Sequence, residues 1–131
     1  MAVTHSTASL DLATNAVVDQ LDGAGSKLVF RLAGGTVAAP STIVATLTMA
    51  TPAFGASSAG VATAGAIASD TNATGNASPV ATASLQTSGD VLAILCGVAA
   101  SGSDIDMTNG LTVASGDTVS CSSLTYKAIN A

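Results

Sequence analysis

Charge is nearly absent from this chain, and that absence most constrains what it can fold into. Three Lys+Arg and eight Asp, with no Glu, make 8% charged residues, where globular domains average about 25%. Aromatic residues are as scarce, at 2%, although hydrophobic residues reach 48%. The fold must therefore be built on Val, Leu, Ile and Ala and covered by Ser, Thr, Ala and Gly. Small apolar side chains each bury little area, at roughly 25 cal/mol per Å², so contacts with neighbours are expected to add to the stability of a single subunit. A surface with so few charges lacks the repulsion that keeps small domains apart. It reads as the surface of a structural subunit rather than of an enzyme.

The 131 residues suit one core. A net charge of −5 with only Lys27, Arg31 and Lys127 as cations argues against a nucleic-acid partner, because phosphate binding needs clustered cations. No run of about 18 apolar residues is present to cross a membrane. The opening MAVTHSTASLDLATNAVV has neither a basic start nor an unbroken apolar stretch, so it predicts no export signal and a cytosolic product. In that setting Cys96 and Cys121 read as buried thiols, with a disulfide as the lesser alternative.

Leu10, Ala13, Val17 and Leu21 recur at spacings of three and four and predict an amphipathic helix over 9–22. Ser9 is the expected N-cap, with Asp11 in the first turn and Gly23 and Gly25 as the stop. From Lys27 onward, β-prone runs alternate with Gly, Ser, Asn, Asp and Pro, predicting strands at 27–33, 42–50, 60–68, 79–87, 90–98, 103–107, 110–114 and 117–127. Over 42–50, Ile43, Ala45, Leu47 and Met49 are expected on one face, with Thr42, Val44, Thr46 and Thr48 on the other. Asn109-Gly110 is expected to form a type I′ hairpin turn, Gly89-Asp90 and Gly116-Asp117 turns of one kind, and 34–41 and 70–78 exposed loops. The expected architecture is all-β: a sandwich of seven or eight short strands, Ig-like or jelly-roll-like, over 27–131. An N-terminal arm and short helix occupy 1–26.

Few residues suggest chemistry. His5 is the only His and precedes the first element, a poor place for a catalytic base. Cys96, Cys121 and His5 do not complete a zinc site, and no glycine cluster fits a phosphate-binding loop. Asp104 and Asp106 would share a strand face about 7 Å apart and are the weak candidates for a metal, calcium in particular, against the simpler reading of a solvated edge. No catalytic residue, cofactor or further metal ligand is assigned. Leu10, Val17 and Leu21 on the helix, Phe54 in TPAFG and Tyr126 in the last β-prone run are the interface candidates, with core packing as the competing reading for the two aromatics.

The segments VVDQLDGAGSKLVF (17–30), VATLTMATPAFGASSAGVATAGAIASD (44–70) and GLTVASGDTVSCSSLTY (110–126) carry a resemblance to small Ala/Thr/Gly-rich virion proteins of tailed bacteriophages. The resemblance covers roughly 27–127 and the helix before it, while 80–100 departs from a DSDG-type turn of that family. It implies a virion structural subunit, a head decoration or cement protein on the capsid exterior that binds the major capsid protein and copies of itself. Tail, baseplate or fibre subunits are the alternative, and a cell-surface adhesin-type subunit a more distant one.

Overall fold

The computed structural model describes residues 2–129. Helix α1 spans Thr7–Val18 and continues as a single 3₁₀ turn, Asp19–Leu21. Eight strands follow among the described residues: β1 Lys27–Arg31, β2 Ile43–Met49, β3 Val61–Thr63, β4 Ile67–Ala68, β5 Thr82–Gln86, β6 Leu92–Ala99, β7 Ile105–Asp106 and β8 Thr125–Lys127. They form a six-stranded sheet in the order β4-β2-β1-β5-β6-β7 and a two-stranded ribbon of β3 and β8. The fold is mainly β and sandwich-like, with one short N-terminal helix. Every pair is antiparallel except β6–β7, which is parallel.

Cross-strand register explains how a chain with so few large side chains fills its centre. Leu28 on β1 lies between Leu47 and Leu85, and Phe30 lies between Ala45 and Ala83. One large ring beside two alanines keeps the sheet face level, and the three leucines form the adjoining row. Phe54, Ala62, Val113 and Val119, together with Val18 and Leu21 of the helical segment, join the same buried cluster. Each fully buried Leu or Val contributes roughly 1.5–3 kcal/mol. The helix and the strands thus share one core.

The helix cap lies three residues before the expected one. Ser6, in an extended conformation, accepts the Ser9 amide at 3.2 Å and is the true cap. Asp11 consequently lies beyond the first turn, where its carboxylate accepts the Gly60 amide at 2.8 Å and the Ser57 hydroxyl at 2.9 Å. The buried stripe runs through Thr14, Val18 and Leu21 rather than Ala13 and Val17. Thr14 belongs there because its hydroxyl donates to the Gly60 carbonyl at 2.6 Å and accepts the Ala128 amide at 3.2 Å, a polar anchor that an apolar template passes over. Asp22 ends the segment with a buried, unpartnered Oδ1, and burial, then the charge of Asp19, raises its pKa.

On β2 the expected alternation holds for Ala45, Leu47 and Met49 and fails at Ile43. The β1–β2 register shifts between Phe30 and Arg31, so Phe30 pairs with Ala45 but Arg31 pairs with Ile43. Val44 is the extra residue of this bulge. It is buried at 0% exposure, and Ile43 turns out at 39%.

Several expected strands are shorter or absent. The 60–68 run divides between β3 and β4, which belong to different sheets. Residues 110–114 form no strand, and only the last three of 117–127 do. These stretches are extended but irregular, and they bond to the 70–80 segment through Asp70–Val119, Ala73–Asp117, Asn76–Val113 and Val80–Leu111. The 70–78 loop is therefore partly a structural seam, with Ala73 buried. Gly75 there has φ +71°, and a Cβ on it would lie 2.3 Å from the Ser115 nitrogen.

The turns also differ from expectation. Among the described non-glycine residues only Ala59 and Asp90 have positive φ, so Asn109 does not enter the type I′ conformation. In Gly89-Asp90 the positive φ falls on Asp90, whereas in Gly116-Asp117 it falls on Gly116. They are turns of two kinds.

Candidate functional site

The six-stranded sheet is closed at its centre and open along one margin. Strand β6 pairs with β5 from Leu92 to Gly97, but with β7 only through Val98 and Ala99. Because the Val98 amide donates to the Ala81 carbonyl at 3.0 Å, antiparallel alternation turns the backbone groups of Gly97 and Leu95 away from β5. The Gly97 amide is capped by Asp104 Oδ2 at 2.9 Å. From Leu92 to Cys96 that edge has no strand beside it among the described residues. The ribbon strand β8 pairs with β3 on one side only, so it too presents a free edge.

A cleft of about 390 Å³ lies between these two edges. Leu85, Ile94 and Cys96 line it from the sheet, Leu124 and Tyr126 from the β8 side, and Ile105 from β7. All but Leu85 are half-buried, as is nearly all of β6. A second cleft of about 560 Å³ adjoins it, sharing Asp104, Ile105, Leu124 and Thr125 and reaching Phe30, Val119 and Cys121. Together they form an opening into the side of the core, apolar along its walls and rimmed by hydroxyls and two aspartates.

The charges near this opening are few: Lys127 lines the smaller cleft at its exposed edge, and both aspartates are engaged with backbone. Asp104 caps Gly97, and Asp106 Oδ1 accepts the Ser103 amide at 3.0 Å. The two candidate metal ligands therefore brace the loop between β6 and β7, each with one oxygen committed to backbone. No group of three or more His, Cys, Asp or Glu that would hold a metal occurs among the described residues. Both cysteines are free. Burial, and then the charge of Asp104, pushes the Cys96 thiol up to about 11, and burial raises Cys121 as well. At neutral pH each is a protonated, poorly nucleophilic lining group.

The reverse face of the sheet carries a concentrated polar network. Arg31, 5% exposed, donates from Nε to Ser84 Oγ at 3.0 Å, from Nη1 to the Ser41 carbonyl at 2.7 Å and from Nη2 to Gln86 Oε1 at 3.0 Å. Gln86 Nε2 and Lys27 Nζ both donate to Asp90 Oδ1 at 2.9 Å. These bonds, those from Lys27 and Gln86 foremost, hold the Asp90 carboxyl below the usual range. Burial lowers the Arg31 pKa, and the charge of Asp90 partly opposes that. In the structure Lys27 makes the ion pair, and Arg31 reaches Asp90 only through Gln86. The network holds β1, β5 and the Asp90 turn together.

The sequence-derived interface candidates divide. Leu21 and Phe54 lie within the subunit core, which favours the core-packing reading for Phe54. Leu10 packs over Gly60, where an added Cβ would meet its own Cβ at 2.9 Å, and Val17 is half-buried on the flank of the helix. Tyr126 lines the open cleft. His5 stands in the exposed arm, outside both clefts. Ile94, Cys96 and Leu124 are the site residues that sequence reasoning missed. Their signal was the run VLAILCGVAA, 91–100, a long uncharged strand of the kind that normally has neighbours on both sides.

No protein-family description, curated protein or solved structure matches the chain. No helix among the described residues is long and apolar enough to cross a membrane.

Proposed function

We propose that this chain is a structural subunit of a tailed-bacteriophage virion, a capsid decoration or cement protein that binds the lattice of major capsid protein and stabilises the head. The observation that carries this reading is the open margin: a free strand edge beside half-covered apolar walls, on a subunit with very little charge. Such edges associate unless charge, proline or a covering element blocks them, and β6 has none of these between Leu92 and Cys96. The phage-like wording of 17–30, 44–70 and 110–126 supplies the kind of assembly.

In this reading the subunit is made in the host cytoplasm and placed on the capsid exterior. It is not an enzyme, and it takes no cofactor, nucleic acid or membrane as partner. Many copies each bury Ser/Thr/Ala surface against capsid subunits, and multivalent contact multiplies modest individual affinities. A subunit that binds the assembled shell and not its dissociated parts stabilises the shell by mass action.

A tail, baseplate or fibre position uses the same surface in rings or trimers. The free edge also suits an adhesin-type subunit that adds strands from its neighbours. Quantitative proteomics of purified particles from the source of this gene, followed by binding of the purified chain to stripped shells, separates the three. Copy numbers on the scale of the capsid lattice and saturable shell binding are expected. A few copies that stay with detached tails favour the tail, and absence from particles refutes the virion role.

A further inference from the structure

We infer that the cleft between β6 and β8 receives the N-terminal arm of a second copy as an added β-strand. The cleft separates two unpaired edges, Leu92–Cys96 of β6 and Thr125–Lys127 of β8. A segment lying there bonds through its backbone, including to the outward-facing amide and carbonyl of Leu95, and sets alternate side chains against Ile94, Cys96 and Tyr126. Strand addition of this kind requires a short, extended, largely uncharged donor.

The chain carries such a donor. Ala2–Ser6 lies outside every element and is exposed throughout, ends in extended backbone at Ser6, and bears Val3 at 83% exposure. At about 3.3 Å per residue, Ala2–Ser6 is long enough to run beside the free edge from Leu92 to Cys96. At a period of two, Val3 and His5 share a face, which gives the cleft one apolar side chain and brings the arm's only ionisable side chain toward the rim that holds Asp104. Residues 2–6 line neither cleft in their own chain, and the proposed occupant is the arm of another copy. The inference goes beyond the virion role and does not rest on it, because self-association is measured without any particle.

The test compares the full chain, a variant lacking residues 2–5, and Val3→Asp. Ser6 is kept in the deletion because it caps α1, and Val3 makes no core contact, so both variants fold. Sedimentation velocity is run across a concentration series, with residue-resolved hydrogen exchange at the Leu95 amide. The full chain is expected to associate with rising concentration and to protect Leu95 as it does so. The deletion should remain monomeric and exchange Leu95 at least about tenfold faster, a difference of ~1.4 kcal/mol in opening free energy, and Val3→Asp should weaken association about tenfold. Sedimentation and Leu95 exchange unchanged by the deletion would overturn the inference. So would a monomeric full chain, or arm-dependent protection of Leu95 that is independent of concentration, since the latter places the arm in its own cleft.

Discussion

The centre of the six-stranded sheet and its β6 margin are built from the same kinds of residue and reach opposite outcomes. Around β1, side chains on both faces are buried: Leu28 and Phe30 toward the core, Val29 and Arg31 on the reverse. Along β6, Leu92–Gly97 is half-buried throughout, although its composition is the more apolar. The difference comes from neighbours rather than from hydrophobicity. Strand β1 has β2 and β5 beside it and Phe54, Val44 and Leu21 in the core cluster that its leucine and phenylalanine join. Strand β6 has β5 on one side and two residues of β7 on the other. An apolar strand with one neighbour is an incomplete structure by itself, and its completion from outside is the simplest account of why the sequence keeps it uncharged.

The sharpest way to break this contrast is to truncate one aromatic in each region. Phe54→Ala removes a fully packed ring and is expected to cost about 4 kcal/mol, read as a fall in the urea midpoint at constant slope. For a core with so few large side chains, that unfolds much of the population at 37 °C. A loss under about 1 kcal/mol would mean that Phe54 is not the packing residue described.

Next in size is the seam between 70–80 and 110–119. Gly75→Ala forces a side chain into a positive-φ position against the Ser115 backbone and is expected to cost about 3 kcal/mol. Gly102→Ala, also at positive φ but with open space around it, should cost about 1 kcal/mol. Equal effects at the two sites would show that the irregular pairing there is not tightly packed.

On the reverse face, Arg31→Ala removes three hydrogen bonds from a buried guanidinium and is expected to cost about 2 kcal/mol. Gln86 retains the Ser84 hydroxyl as a donor at 2.8 Å, which limits the loss. At the open margin, Tyr126→Ala should cost only about 1.5 kcal/mol of subunit stability while reducing self-association. A Tyr126→Ala chain as destabilised as Phe54→Ala would show the margin to be as closed as the centre.

A pH dependence is the remaining effect. Because the folded Cys96 pKa, about 11, lies above its ordinary value of 9.0, the folded chain holds the thiol proton more tightly than the unfolded one. Stability from this group is complete below pH 9 and declines as the pH rises from 9 toward 11. Thermal melts of the native chain and Cys96→Ser over that range should converge as the pH rises, and parallel curves would contradict the assignment.

How legible the fold was in the sequence follows the same division. The helix and β1, β2, β5 and β6 could be read to within a few residues, because their apolar spacing matches a regular period and Gly or Asp marks their ends. The phase of Ile43 could not, since a bulge is a property of the pair β1–β2 and not of β2 alone. The stretch 110–124 looked like two strands because Thr, Val and Ser favour extended backbone, but its partner is the irregular 70–80 segment rather than a strand. For the site, Tyr126 and Asp104 were visible as types of residue. The exposure of Ile94 and Cys96 was not, because a run of apolar residues says that a strand wants burial and not how many neighbours it will find.

The central claim is that the β6–β8 margin is where this subunit meets its neighbours in a virion. Cryo-EM of purified particles from the source of this gene tests it most directly. The account predicts sandwich-sized density repeated over the icosahedral shell, with an ordered strand filling the margin between β6 and β8. Particles without that density, or subunits bound through another face with the margin empty and open to solvent, would contradict it.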